Sequence, residues 1–209
     1  MIKKLFFCLS VSLFAGLSQA EDEDFTVIYD GKDLSNIETK GNWLIQDDGS
    51  LFLKPRPGEK GWQRYDSYLY LKGDYADFTV DFKYKHGRGG NSGLYFRITD
   101  TKDATASGHE VQILDSHGKK NLGHHDLGGV IRTSGPLKNA AKPAGEWNRM
   151  IVTLKDNKLT VVLNGETVQD NLDLMAKKPE GKELADSGKI AIQDHGQEFW
   201  VRNIKVKKH

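Results

Sequence analysis

The sequence predicts an all-β protein, a two-sheet antiparallel jelly-roll sandwich. Three observations carry this: apolar and polar residues alternate with period two along much of the chain, turn dipeptides punctuate the alternation, and only one short stretch has helical composition. The pattern is plainest at Phe78, Val80, Phe82 and Tyr84, which share one strand face while Thr79, Asp81 and Lys83 share the other. Ten or more strands in so short a chain, with almost no helix between them, pack most simply as two sheets. A closed barrel is the alternative.

In chain order, the first element stands apart from the fold. Lys3 and Lys4 precede an apolar run from Leu5 to Leu17, and Ser18-Gln19-Ala20 offers the small residues a signal peptidase reads. Residues 1–20 are therefore expected to be a cleaved secretory signal, leaving 21–209 as a single domain. A run of about a dozen residues is short of the roughly 20 needed to span a bilayer. With Lys3 and Lys4 removed, the balance of 30 basic to 29 acidic residues becomes 28 to 29. Cys8, the only cysteine, departs with them, so the domain folds without disulfides, through a core that a chain of this size can bury. Such an exported chain is expected in the bacterial periplasm or outside the cell. The even charge argues against nucleic acid as a partner, and no later charge-free stretch supports a membrane span after signal cleavage.

Strands are expected at 25–29, 42–46, 51–53, 67–71, 78–84, 93–98, 110–114, 147–154, 158–163, 189–194 and 200–207. Asp48-Gly49 and Asn164-Gly165 mark hairpins, because both dipeptides tolerate the positive φ of type I′ turns. Residues 87–93, with four glycines, and 116–129, with four glycines and three histidines, read as loops and as candidate functional segments. Residues 172–185 have helical composition, but Pro179 and Gly181 confine any helix to a short piece. Trp147 reads as a core aromatic.

The chemistry-bearing residues concentrate between Asn91 and Asp126. Alternation places Glu110 and Gln112 on one face of their strand, opposite Val111 and Ile113, so the apolar pair seals a core while the polar pair lines a surface. Asp115 could converge with Glu110 only if a bulge intervened. In the preceding strand, Tyr95 and Arg97 share a face, and Arg97 is expected to look across at Glu110. Gln193 and His195 present a third polar pair at a strand end, and histidine titrates near neutral pH. Trp62, in a loop, suits a platform for a sugar ring. His124, His125 and Asp126 are adjacent in the chain and make a poor zinc set. No cofactor is demanded by any motif, although an oxygen-ligated divalent cation fits the supply of Asp and Asn in the loops.

Together these segments carry a resemblance. Tyr29-Asp30-Gly31-Lys32-Asp33-Leu34-Ser35, Asn91-Ser92-Gly93 with Arg97, Glu110-Val111-Gln112-Ile113-Leu114-Asp115, Gly145-Glu146-Trp147-Asn148, Leu163-Asn164-Gly165, Ile192-Gln193-Asp194-His195-Gly196 and Val201-Arg202-Asn203-Ile204 follow one another as in the bacterial 3-keto-disaccharide hydrolase family. The family is also described as 3-keto-glucoside lyase and 3-keto-2-hydroxyglucal hydratase, and the likeness runs from about Phe25 to Lys207. It implies a concanavalin A-like sandwich with its site on the concave face and an oligosaccharide or glycoside substrate. Laminarinase-like enzymes on that fold carry Glu-x-Asp-x-x-Glu, whereas this chain has Glu110-x-Gln112-x-x-Asp115, an amide where they have a carboxylate. The resemblance favours elimination next to a C3 ketone. Glu110, His195 and Asp115 are the candidate acid–base groups, with Arg97 or a divalent cation polarising the enolate oxygen. Asn91, Gln112, Gln193, Tyr95 and Trp62 are the candidate sugar contacts. A non-catalytic lectin-like module and a conventional endoglycosidase are the alternatives.

Overall fold

The alternating runs become strands wherever one face can be buried. A computed structural model describes residues 24–209; the expected signal, 1–20, lies outside the described residues. Thirteen strands form two sheets, antiparallel throughout. The larger sheet holds β1 (Thr26–Tyr29), β3 (Trp43–Ile45), β4 (Leu51–Leu53), β6 (Phe78–His86), β9 (Asn148–Lys155), β10 (Lys158–Leu163), β11 (Glu166–Asp173) and β13 (Phe199–Lys208). Its spatial order is β11-β10-β9-β6-β13-β4-β3, with β1 also paired to β13. The smaller sheet holds β2 (Ile37–Glu38), β5 (Leu69–Leu71), β7 (Asn91–Ile98), β8 (His109–Leu114) and β12 (Lys189–Ile192), in the order β2-β5-β12-β7-β8.

The inner faces meet in one core. Val80, Phe82, Met150, Val152, Leu154 and Val201 of the larger sheet pack against Leu69, Leu71, Leu94, Phe96, Val111, Ile113, Ile190 and Ile192 of the smaller. Each such side chain contributes roughly 1.5–3 kcal/mol when fully buried. The smaller sheet is unusual in having a second apolar cluster on its outer face, where Tyr68, Tyr70, Tyr95, Ile98, Ala104 and Ala191 pack together. A solvated outer face would read polar at these positions; here the cluster is buried, with Tyr68 and Ala104 contributed by segments that cover the sheet.

The Asp48-Gly49 and Asn164-Gly165 turns close the β3–β4 and β10–β11 hairpins. At the second, Asn164 and Gly165 have φ of 54° and 89°, as a type I′ turn requires. A third such turn, Asp156-Asn157 with φ of 49° and 60°, joins β9 to β10. Among the described residues, α-helix is confined to α1 (Ala104–Ser107) and α2 (Leu174–Lys177), whose first turns are capped by Asp103 and Asp173 through the amides of Ala106 and Ala176, and a single 3₁₀ turn spans Tyr65–Ser67. Two strands were not anticipated. β2 has only two residues, and β11, with the sequence ETVQDNLD and register shifts against β10, offers no clean alternation. Trp147 is also not a core residue: it is half-buried at the start of β9, with Lys85 and Arg202 over its ring.

Candidate active site

A cavity of about 660 Å³ opens on the outer face of the smaller sheet. Its floor can be read as two rows across the strands. In the first, Gly93 of β7 lies opposite Gln112 of β8 on one side and hydrogen-bonds Gln193, just past β12, on the other. In the second, Tyr95 lies opposite Glu110 on one side and Ala191 on the other. Period-two geometry thus brings Asn91, Tyr95, Glu110, Gln112 and Gln193 to a single surface, as the alternation predicts. Trp62 and His195 complete this part of the lining.

Glu110 is the chemical centre. Burial pushes its carboxyl up to about 7, against the opposing influence of the Tyr95 hydroxyl, which donates to its Oε2 at 2.6 Å, and of the Lys182 ammonium. Gly93 makes room for the other oxygen: a Cβ there would collide with Glu110 Oε1. Tyr95 is held fully protonated by burial and by the adjacent carboxylate. His195 is half-buried, and desolvation lowers its pKa, which favours the neutral ring. His109 projects to the inner side of β8, where it stacks on Phe96 and bonds Glu183 O; burial lowers its pKa to about 4.

The loop that carries Trp62 and the one that carries His195 are joined by charge. Arg64 bridges Glu59 at 2.9 Å and Asp194 at 3.1 Å, and Asp194, fully buried, accepts the amide of Gly196 at 2.7 Å. Gly196 has φ +73°, and a Cβ on it would strike Lys60 Cα, so the two loops meet through bare backbone.

Two expected site residues lie elsewhere. Arg97 adopts φ 51°, a left-handed conformation that breaks the alternation at the end of β7 and shifts its register against β12. Its guanidinium is buried against Ala76 O, Asn157 Oδ1, Ala185 O and Asp77, so Tyr95 and not Arg97 faces Glu110. Asp115 does not converge with Glu110, because the β7–β8 register runs without a bulge; its Oδ2 accepts the Gly89 amide and holds the turn into β7. The covering loops add residues that strand periodicity could not reveal: Lys182, Arg132, His125 and the exposed Glu180. Lys182 ties its loop to α1 by donating to Thr105 O and Ala106 O at 2.7 and 2.6 Å. His124 and His125 lie with rings 4.4 Å apart, while Asp126 is occupied by Lys119 and the Gly123 amide. Among the described residues, no group of three or more His, Cys, Asp or Glu is placed to hold a metal ion.

The two-sheet antiparallel sandwich belongs to the lectin-like jelly-roll fold class. The same fold occurs in the acidic lectin of winged bean, solved with methyl-α-D-galactose, at a TM-score of 0.55 with 10% identity over 87% of this chain and 96% of that one. The chain is a member of the 3-keto-alpha-glucoside-1,2-lyase-like domain family, which matches residues 24–207. It is 24% identical to the 3-keto-disaccharide hydrolase of Bacteroides thetaiotaomicron, across 88% of this chain and 78% of that protein. It is also similar to a candidate glycosyl hydrolase from Parabacteroides distasonis, with a TM-score of 0.73 and 24% identity over 91% of this chain and 96% of the other.

Proposed function

We propose that this protein cleaves 3-keto-glycosides by elimination across C1–C2 followed by addition of water, with Glu110 as the base. The observation that carries the reading is a buried carboxyl raised to about 7, set in a cavity floor of amides beside Tyr95. A retaining or inverting glycosidase instead works with a pair of carboxylates around an oxocarbenium-like centre. Here the neighbour on the same strand face is the amide Gln112, and the other lining carboxylate, Glu180, is exposed on a loop.

A ketone at C3 acidifies the C2 proton. Glu110 takes that proton, and the electron pair moves into the enolate at C2, C3 and the C3 oxygen. Collapse of the enolate restores the ketone, forms the C1–C2 double bond and expels the C1 oxygen substituent, which receives a proton from His195 or from protonated Glu110. Water then adds at C1 and a proton returns to C2, so the net reaction is hydrolysis. The enolate oxygen needs a donor or a cation. With Arg97 displaced, that role passes to the Gln112 Nε2 group and to Lys182 or Arg132, all of which line the cavity. Trp62, at the rim, offers its ring to the sugar or its leaving group. Export of the chain by residues 1–20 to the periplasm or beyond belongs to this proposal and is checked by cell fractionation with N-terminal mass spectrometry.

The direct test is release of a chromogenic leaving group from a 3-keto-glucoside beside its unoxidised counterpart. Release from the keto compound alone, reduced about 10²- to 10⁴-fold by Glu110→Gln, is expected. Equal release from both compounds overturns elimination, and binding without release moves the protein to the lectin-like alternative.

A further inference from the structure

We infer that the cavity sorts ligands by hydrogen-bond direction: Gln193 and Asn91 form an acceptor pair that admits only ligand groups able to donate. The bound ring must therefore turn hydroxyls towards this pair and its ketone towards the donor-bearing side at Gln112. The inference rests on the sugar-binding role proposed above and specifies how that sugar is oriented.

The polarity is set by protons already spent. The Tyr68 hydroxyl lies 2.8 Å from Trp62 O, a carbonyl that can only accept, so Tyr68 donates there. Only lone pairs then remain on Tyr68 for the Gln193 side chain, 3.0 Å away. Gln193 must present its NH₂ group, since its carbonyl oxygen would face an oxygen with no proton to share. The same NH₂ meets the Tyr95 hydroxyl at 3.4 Å, whose own proton goes to Glu110. One directed chain thus runs from the amide of Gln193 to Trp62 O on one side and to Glu110 on the other. It forces Gln193 Oε1 to point away, and that oxygen is buried without a hydrogen-bond partner.

A second orphan lies two residues from Gly93 along β7. Asn91 Oδ1 is likewise buried and unpartnered, on the strand that carries Gly93, and both residues line the cavity. Buried carbonyl oxygens of this kind are rarely left unmatched unless something else supplies the donor. On the far side of Gly93 the direction reverses. Gln112 Oε1 accepts the amide of Ile113 at 2.9 Å, which leaves Nε2 as the group offered to the cavity. Hydroxyls match the first end and a ketone, which only accepts, matches the second.

The test is a binding titration, followed by protein NMR, of methyl glucoside and its 4-deoxy-4-fluoro and 6-deoxy-6-fluoro analogues, paired with turnover of the 3-keto-glucoside. Fluorine replaces hydroxyl at nearly the same size but cannot donate. At least one analogue should bind about tenfold or more weakly than the parent, and that penalty should shrink to about twofold in Gln193→Ala or Asn91→Ala. Asn91→Ala, at the start of β7, keeps the test open should Gln193→Ala fail to fold. Analogues that all bind within about twofold of the parent, or a penalty undiminished in the variants that fold, would overturn the inference. So would absence of binding by the parent and the keto compound alike. Fluorine sensitivity without keto-glucoside turnover would leave the polarity standing and remove the proposed chemistry; turnover without fluorine sensitivity would do the reverse.

Discussion

Gly93 occupies the floor position where a methyl group would meet Glu110, and what would have to yield is the Glu110 side chain from Cγ outward, not backbone. Gly93→Ala should therefore fold with nearly unchanged thermal stability while lowering kcat by about 10- to 100-fold, because small misplacements of a catalytic group are expensive. Circular dichroism melting beside steady-state kinetics checks both halves. Loss of stability with normal kcat would show that the glycine serves the sheet and not Glu110. Arg97 gives the complementary case. Its guanidinium bonds two backbone carbonyls, Asn157 and Asp77 and reaches no part of the cavity. Arg97→Ala should destabilise the fold by about 3 kcal/mol, as removal of a buried ionic partner does, while KM and the pH profile of the folded protein stay as they were. A selective fall in kcat without loss of stability would restore Arg97 to the reaction.

The loops at the cavity rim act as units. Arg64 holds Glu59 and the buried Asp194 together, and Asp194 is flanked in sequence by Gln193 and His195. Arg64→Ala leaves Asp194 with only the Gly196 amide, so stability should fall by about 3 kcal/mol. KM should rise, as two walls of the cavity lose their tie, whereas Trp62→Ala should raise KM without the stability loss. Denaturant titrations with Michaelis curves for both variants separate these effects. The elements also show how far the sequence could be read. Strands with one buried face, such as β6 and β8, announce themselves by alternation, and Asn164-Gly165 announces its hairpin by the φ it tolerates. β11 does not, since its partners are displaced by register shifts and its residues are mostly polar. The floor of the site was legible for the same reason as the strands: Asn91, Tyr95, Glu110, Gln112 and Gln193 obey period two. Arg97 was misplaced because one left-handed residue breaks the period, which no propensity for arginine foretells. Lys182, Arg132 and His125 come from loops, where sequence spacing carries no direction.

Across the domain, two buried titrating groups oppose one another. The Glu110 carboxyl, ordinarily near 4.5, titrates at about 7 in the fold, so the folded state holds a proton that the unfolded chain has released, and stability falls as pH rises through that window. The limit of this effect is about 3 kcal/mol. His109, ordinarily near 6.5, titrates at about 4, so stability falls as pH drops through its own window. The two slopes work against each other between 4.5 and 6.5. Glu110→Gln should uncover the histidine slope alone: the variant should exceed the native protein in stability at pH 8 by up to about 3 kcal/mol and match it near pH 4, as measured by denaturant unfolding. Equal stability at both pH values would remove the burial penalty assigned to Glu110. Activity should rise through pH 7 as the base ionises. The placement of β13 carries a different consequence. The last of the thirteen strands in chain order is inserted between β6 and β4 and also supports β1, so the larger sheet has no centre until residues 199–208 are present. Until that strand is in place the residues before it have no closed core, so the fold is completed by pairings between segments far apart in the chain.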